Sequence, residues 1–125
     1  MNNFLSRLLL AFSAALLLFG GAVHTLAFKK ATTAVETSNL APFFAKAFKA
    51  LWLIDSTMLI TSAVVFGLLA ARPLMASGAV VVLVALMPAI TAALLYFFVG
   101  SIVPAHLLVI ASALAFLAAL LRATG

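Results

Sequence analysis

Four long apolar stretches are the feature of this sequence that most restricts its fold. They predict helices over about residues 8–28, 42–71, 74–99 and 104–121. A helix needs about 20 apolar residues to cross the roughly 30 Å hydrocarbon core of a bilayer. The stretches lack the alternation of apolar and polar residues that barrel strands show, so each of them indicates a helix. We therefore expect a single all-α integral membrane domain over 1–125, folded as a four-transmembrane-helix antiparallel bundle.

The composition agrees with a membrane location and excludes several other classes of protein. Hydrophobic residues make up 68% of the 125 residues and charged residues 7%, against about 45–50% and about 25% in soluble proteins. A chain of this size cannot hide so much apolar surface in a soluble core, which excludes a water-soluble enzyme. The chain contains no cysteine, so disulfides, thiolate metal sites and thiol nucleophiles are excluded as well.

The basic residues indicate contact with lipid headgroups, not with nucleic acid. The net charge is +5, but the cations are dispersed at the ends of the apolar stretches: Arg7, Lys29, Lys30, Lys46, Lys49, Arg72 and Arg122. Nucleic-acid binding needs a clustered basic surface, whereas cations at helix ends extend to the headgroups. The expected partners are the bilayer and other membrane subunits or further copies of the chain. The expected location is the bacterial inner membrane.

The connections between the helices differ in length and character. Residues 29–41 are polar and predict a surface loop. The segment from Pro42 to Leu51 mixes phenylalanines with lysines, which is typical of a short interfacial helical segment before helix 2 or of a simple extension of that helix. The connections at 71–73 and 100–104 are short, so helices 2, 3 and 4 are expected to be antiparallel neighbours.

Four polar side chains in the spanning segments share one depth. His24 precedes Lys29 by five residues, and Asp55 follows Lys49 by six. Tyr96 lies four residues before Gly100, and His106 lies six after it. At about 1.5 Å of rise per residue, all four lie roughly 6–9 Å below the same membrane boundary. Ser13, Leu17, Gly20 and His24 also follow one stripe of helix 1, so the layer is expected to face inward.

The chemistry of this layer allows several functions. Asp55, His24, His106 and Tyr96 are candidates for binding a ligand or handling protons, because polar groups embedded in lipid are costly unless they have partners. His24, His106 and Asp55 also carry the imidazole and carboxylate groups that bind copper, zinc or iron, and the two histidines could instead ligate a heme from both sides. The sequence does not require either cofactor. Alternatively, Asp55 pairs with a histidine and ties the helices together.

These candidates lead to three functional hypotheses. The first is an accessory protein or subunit of a membrane assembly, in which the polar layer braces the bundle or binds a small ligand or metal. The second is a proton-coupled small-molecule carrier that uses Asp55. The third is a metal or heme redox protein that uses His24 and His106. We do not predict an enzyme, because the sequence shows no convincing arrangement of a nucleophile with a histidine and an acid.

Overall fold

The chain folds into four long helices. The computed structural model describes residues 2–75 and 77–123. The helices are α1 (Asn2–Glu36), α2 (Pro42–Ala71), α3 (Gly78–Phe98) and α4 (Val103–Ala123), and a 3-10 turn (Pro73–Met75) follows α2. Each long helix contains a segment long and apolar enough to cross a membrane. This confirms the predicted all-α bundle of a multi-pass membrane protein.

The first connection is shorter than the predicted loop over 29–41. α1 continues past the two lysines to Glu36, and α2 is one unbroken helix from Pro42, so residues 42–51 form its first turns. The hydroxyl groups of Thr32 and Thr33 donate to the carbonyl of Lys29, and Glu36 forms an ion pair with Lys49. The polar residues at 29–36 therefore form a helix because the start of α2 gives them a partner to pack against.

The helices follow one another in space in the order α2, α1, α4, α3. α1 packs along both α2 and α4, and α3 packs on α4, whereas α2 and α3 barely contact each other. The sequence predicts α2 and α3 as close neighbours, because their connection is short, and the structure differs. Because α4 packs against α1 and α3 packs against α4, α3 lies away from α2. One side of the bundle, between α2 and α3, is therefore open.

Small residues and buried hydroxyl groups form the contact between α1 and α4. Ser13 and Leu17 are fully buried, and the Ser13 hydroxyl group donates to the carbonyl of Ala111 at 2.8 Å. A Cβ atom at Gly20 would lie 3.2 Å from the side chain of Leu107. The stripe of α1 that the sequence predicts to face inward is thus in contact with a neighbouring helix. This contact also sets the height of α4 relative to α1.

Candidate functional site

His24 of α1 and Asp55 of α2 form a polar pair inside the spanning part of the bundle. His24 Nε2 lies 3.4 Å from Asp55 Oδ2, and the two side chains are 24% and 37% exposed. A carboxylate at this depth is costly unless an opposite charge or a hydrogen-bond donor faces it. The pair therefore needs a proton or a cation to remain in the membrane.

Two further residues of α2 hold His24 in place. Trp52 and Ser56 share a helix face with Asp55, because positions three and four apart are neighbours on a helix. Trp52 Nε1–H donates to the His24 carbonyl at 2.8 Å. The indole stacks on the imidazole with centroids 4.1 Å apart and 14° between the planes. Ser56 Oγ lies 2.9 Å from His24 Nδ1. The imidazole is thus fixed in both position and orientation.

These contacts fix the orientation and the tautomer of the His24 ring. Ser56 has one hydroxyl proton and donates it to the Trp52 carbonyl at 3.1 Å, so it accepts from His24 Nδ1–H. His24 Nε2 then faces Asp55 Oδ2 across 3.4 Å. An imidazole nitrogen and a carboxyl oxygen that face each other can share a proton. Trp52 and Ser56 thus fix the geometry in which His24 meets Asp55.

Tyr96 and His106 form a second cluster at the turn between α3 and α4. The Tyr96 hydroxyl group is hydrogen-bonded to His106 Nδ1, and Ser101 Oγ lies 3.1 Å from His106 Nε2. Both Tyr96 and His106 are exposed, so the inward orientation expected for the layer is wrong for these two residues. His106 instead connects the end of α3 to the start of α4, because α4 begins at Val103, only three residues earlier.

The structure thus divides the predicted layer of four residues into two pairs. In the part of the chain that the structure describes, no three His, Asp or Glu side chains come together in a group that could hold a metal ion. Each histidine also uses both ring nitrogens, His24 with Ser56 and Asp55, and His106 with Tyr96 and Ser101. The arrangement therefore does not support the metal or heme hypotheses for His24, His106 and Asp55.

Asp55 lies on the walls of two cavities. The larger is a cleft of about 430 Å³ that occupies the open side between α2 and α3. Its lining combines apolar side chains with Asp55 and two hydroxyl residues: Leu51, Ile54, Asp55, Met58, Leu59, Ser62, Met87, Pro88, Ile90 and Thr91. The smaller, of about 150 Å³, lies among all four helices, and His24 and Asp55 both line it. Asp55 therefore borders both spaces.

A third cluster, which the sequence patterns did not reveal, lies at the opposite end of the bundle. Leu69 lies four residues before Pro73, which has no N–H to donate to its carbonyl. Arg122 Nη2 donates to that carbonyl at 2.9 Å, and Arg122 Nε donates to Ser6 Oγ at 3.0 Å. Arg7 Nε donates to the next carbonyl, that of Ala70, at 2.8 Å. The two arginines thus satisfy the end of α2, and the proline was the sequence signal for this.

No protein-family model matches the chain, and neither a curated protein nor a solved structure is significantly similar to it. The functional interpretation therefore depends on the geometry of the chain itself.

Proposed function

We propose that this chain is an accessory or subunit protein of a membrane assembly that binds a small lipophilic molecule in the cleft between α2 and α3. The His24–Asp55 pair is the polar end of the site, and the bacterial inner membrane is its proposed location. The observation that carries the proposal is the cleft itself, which brings an ionisable group to an opening on the side of the bundle.

The size and lining of the cleft support a ligand-binding role. Binding sites for small molecules have volumes of about 300–1,000 Å³ and combine apolar walls with a few polar groups, and the cleft, at about 430 Å³, is within that range. Thr91 donates to the carbonyl of Met87, so its hydroxyl proton is already used within α3. Asp55 is the ionisable group on the wall, and with the Ser62 hydroxyl group it provides the polar chemistry that selects a ligand.

Hydrogen bonds between the helices also give the cleft a stable scaffold. α1 is tied to α2 through His24 and Trp52, and α1 is tied to α4 through Ser6 and Ser13. The open side is thus the part of the bundle that a ligand can occupy without breaking an interhelical hydrogen bond. If the protein is a subunit, other chains contact the exposed apolar faces of its helices. Co-purification of a partner chain at a fixed ratio tests this.

A proton-coupled carrier is the second candidate, and one observation favours it. Asp55 faces both the lateral cleft and the inner cavity beside His24, so a ligand and a proton can reach the same carboxyl group. In a carrier, Asp55→Asn would abolish uptake into proteoliposomes, although the protein would still fold. In an accessory protein, the purified chain alone would transport nothing.

Filling the cleft tests the ligand-binding proposal. Met58 lines the cleft on α2, and Met58→Trp adds bulk there. We expect a small molecule to co-purify with the wild-type protein at about one per chain and to be lost from this variant, because the indole occupies the same space. Mass spectrometry of the extracted small molecules is the measurement.

Val64→Trp is the matched control, because Val64 is an exposed residue of α2 outside the lining of the cleft. This variant should retain the bound molecule in the wild-type amount. The proposal is contradicted if the two tryptophan variants retain the molecule equally, or if none co-purifies with the wild-type protein.

A further inference from the structure

The chemical class of the ligand follows from the charges around the cleft. Asp55 is the charged group on the lining, which otherwise consists of apolar side chains and the hydroxyl groups of Ser62 and Thr91. A carboxylate on an apolar wall attracts a cation and repels an anion, and this preference is strong where water is scarce. The apolar walls require that the rest of the ligand be lipophilic.

Few groups can compete with a ligand for Asp55. Among the described residues, the ionisable group that faces it from α1 is His24. The cleft lining from α3 contributes the hydroxyl group of Thr91 and no ionisable side chain. The inner cavity receives only apolar residues from α3 and α4: Leu95, Val103, Pro104, Leu107 and Leu108. His24 and whatever enters the cleft are therefore the groups that can balance the charge of Asp55.

Charge balance then couples the ligand to a proton. Without a ligand, the site avoids a net charge in the membrane only if one proton is shared between Asp55 and His24, which lie 3.4 Å apart. If a monocation binds beside the Asp55 carboxylate, the site is neutral only when the proton between Asp55 and His24 Nε2 leaves for the solvent. His24 is then a neutral imidazole that keeps its Nδ1–H on Ser56. Each state avoids a net charge in the membrane.

We propose that the cleft between α2 and α3 binds a lipophilic monocation, with the Asp55 carboxylate as its counter-ion, in exchange for the proton of the His24–Asp55 pair. This inference rests on the proposed function, because it assigns a ligand class to the same cleft. It adds two properties, selectivity for positive charge and release of a proton on binding.

Two ions of the same shape and opposite charge test the selectivity. Tetraphenylphosphonium should bind saturably to the protein in nanodiscs, after subtraction of protein-free nanodiscs, and tetraphenylborate should not. Asp55→Asn should weaken binding of the cation by at least about tenfold, because the counter-ion is lost. Asp55→Glu should retain most of the affinity. Helical circular dichroism of each variant shows whether it is folded.

Proton release is the second readout. In weakly buffered solution, binding of tetraphenylphosphonium should release about one proton per cation, because the site that holds the cation is neutral only after the proton has left. Met87→Trp, on the α3 wall of the cleft, should block both binding and release while leaving Asp55 intact, so the test stands even if Asp55→Asn does not fold.

The outcomes separate this inference from the proposed function. Equal binding to wild type and Asp55→Asn, equal binding of the borate, or binding without proton release overturns the cation inference. If Met58→Trp removes a co-purified neutral molecule while tetraphenylphosphonium does not bind, the proposed ligand class is wrong, but the cleft is still a binding site. If binding of the cation depends on Asp55 but neither Met58→Trp nor Met87→Trp affects it, the cation does not bind in the cleft. The proposed function is then wrong as well.

Discussion

Replacing Arg122 with methionine is expected to lower the free energy of unfolding by about 2–3 kcal/mol, because a charged hydrogen-bond donor is lost from a partly buried site. The carbonyl of Leu69 lacks its helical donor, since residue 73 is a proline. Arg122 Nη2 supplies the replacement donor at 2.9 Å. The same side chain contacts Ser6, so the substitution loosens α4 from both α1 and α2.

The measurement is the unfolding equilibrium of the purified protein in mixed micelles, followed by circular dichroism. Arg72→Met is the matched control, because Arg72 is exposed immediately after α2. A surface substitution of this kind changes stability by less than about 0.5 kcal/mol. Equal stabilities for the two variants would show that the arginine cluster does not hold the end of α2.

Gly21→Leu is expected to destabilise the contact between α1 and α2 by about 1–3 kcal/mol or more, as overpacking does in tightly packed interiors. A Cβ atom at Gly21 would lie 2.8 Å from Ile60 Cγ1 and 3.2 Å from Leu59 Cβ, and the backbone nitrogen of Ile60 is 3.4 Å away. A leucine side chain therefore forces the two helices apart. His24 lies one turn further along α1, so its contacts with α2 should weaken too.

Gly67→Leu provides the same chemical change at a position with space. In the described part of the chain, nothing lies within 4 Å of the position that a Cβ atom would take at Gly67, and replacing a helical glycine with leucine improves helix propensity. The unfolding equilibrium should therefore shift in opposite directions for the two variants. A Gly21→Leu protein as stable as the wild type would mean that α1 and α2 are not in close contact at this point.

The number of spans and the depth of the polar residues were predictable, because both depend only on position along a helix. Apolar length determines whether a segment can cross the bilayer, and a constant rise per residue places His24 and Asp55 at similar heights. The structure brings these two together, but sequence reasoning left open whether Asp55 faces His24 or His106. Which histidine Asp55 faces depends on the rotation of each helix about its own axis. A membrane-spanning segment is apolar on its lipid side and on its protein side, so its sequence contains little information about that rotation.

The order of the helices and the open side were not predictable from local patterns. A short connection predicts that α2 and α3 are neighbours, but buried serines and close-packed small residues attach α4 to α1 instead. A tryptophan near the end of a membrane-spanning helix is typical of the aromatic belt at the membrane boundary, so its residue type alone does not assign Trp52 to the site. Its spacing of three residues from Asp55 was the available sign that it belongs to the site.

The contact between His24 and Asp55 in a bilayer is the central claim, and solid-state NMR tests it most directly. The chain contains one aspartate and two histidines, so aspartate labelled with ¹³C and histidine labelled with ¹⁵N give few signals. We predict dipolar dephasing of the Asp55 side-chain carbon by His24 Nε2, in line with a nitrogen–oxygen distance of 3.4 Å. The dephasing should persist in His106→Gln and vanish in His24→Gln. Its absence from the wild-type protein in lipid, or its loss only in His106→Gln, would contradict the account.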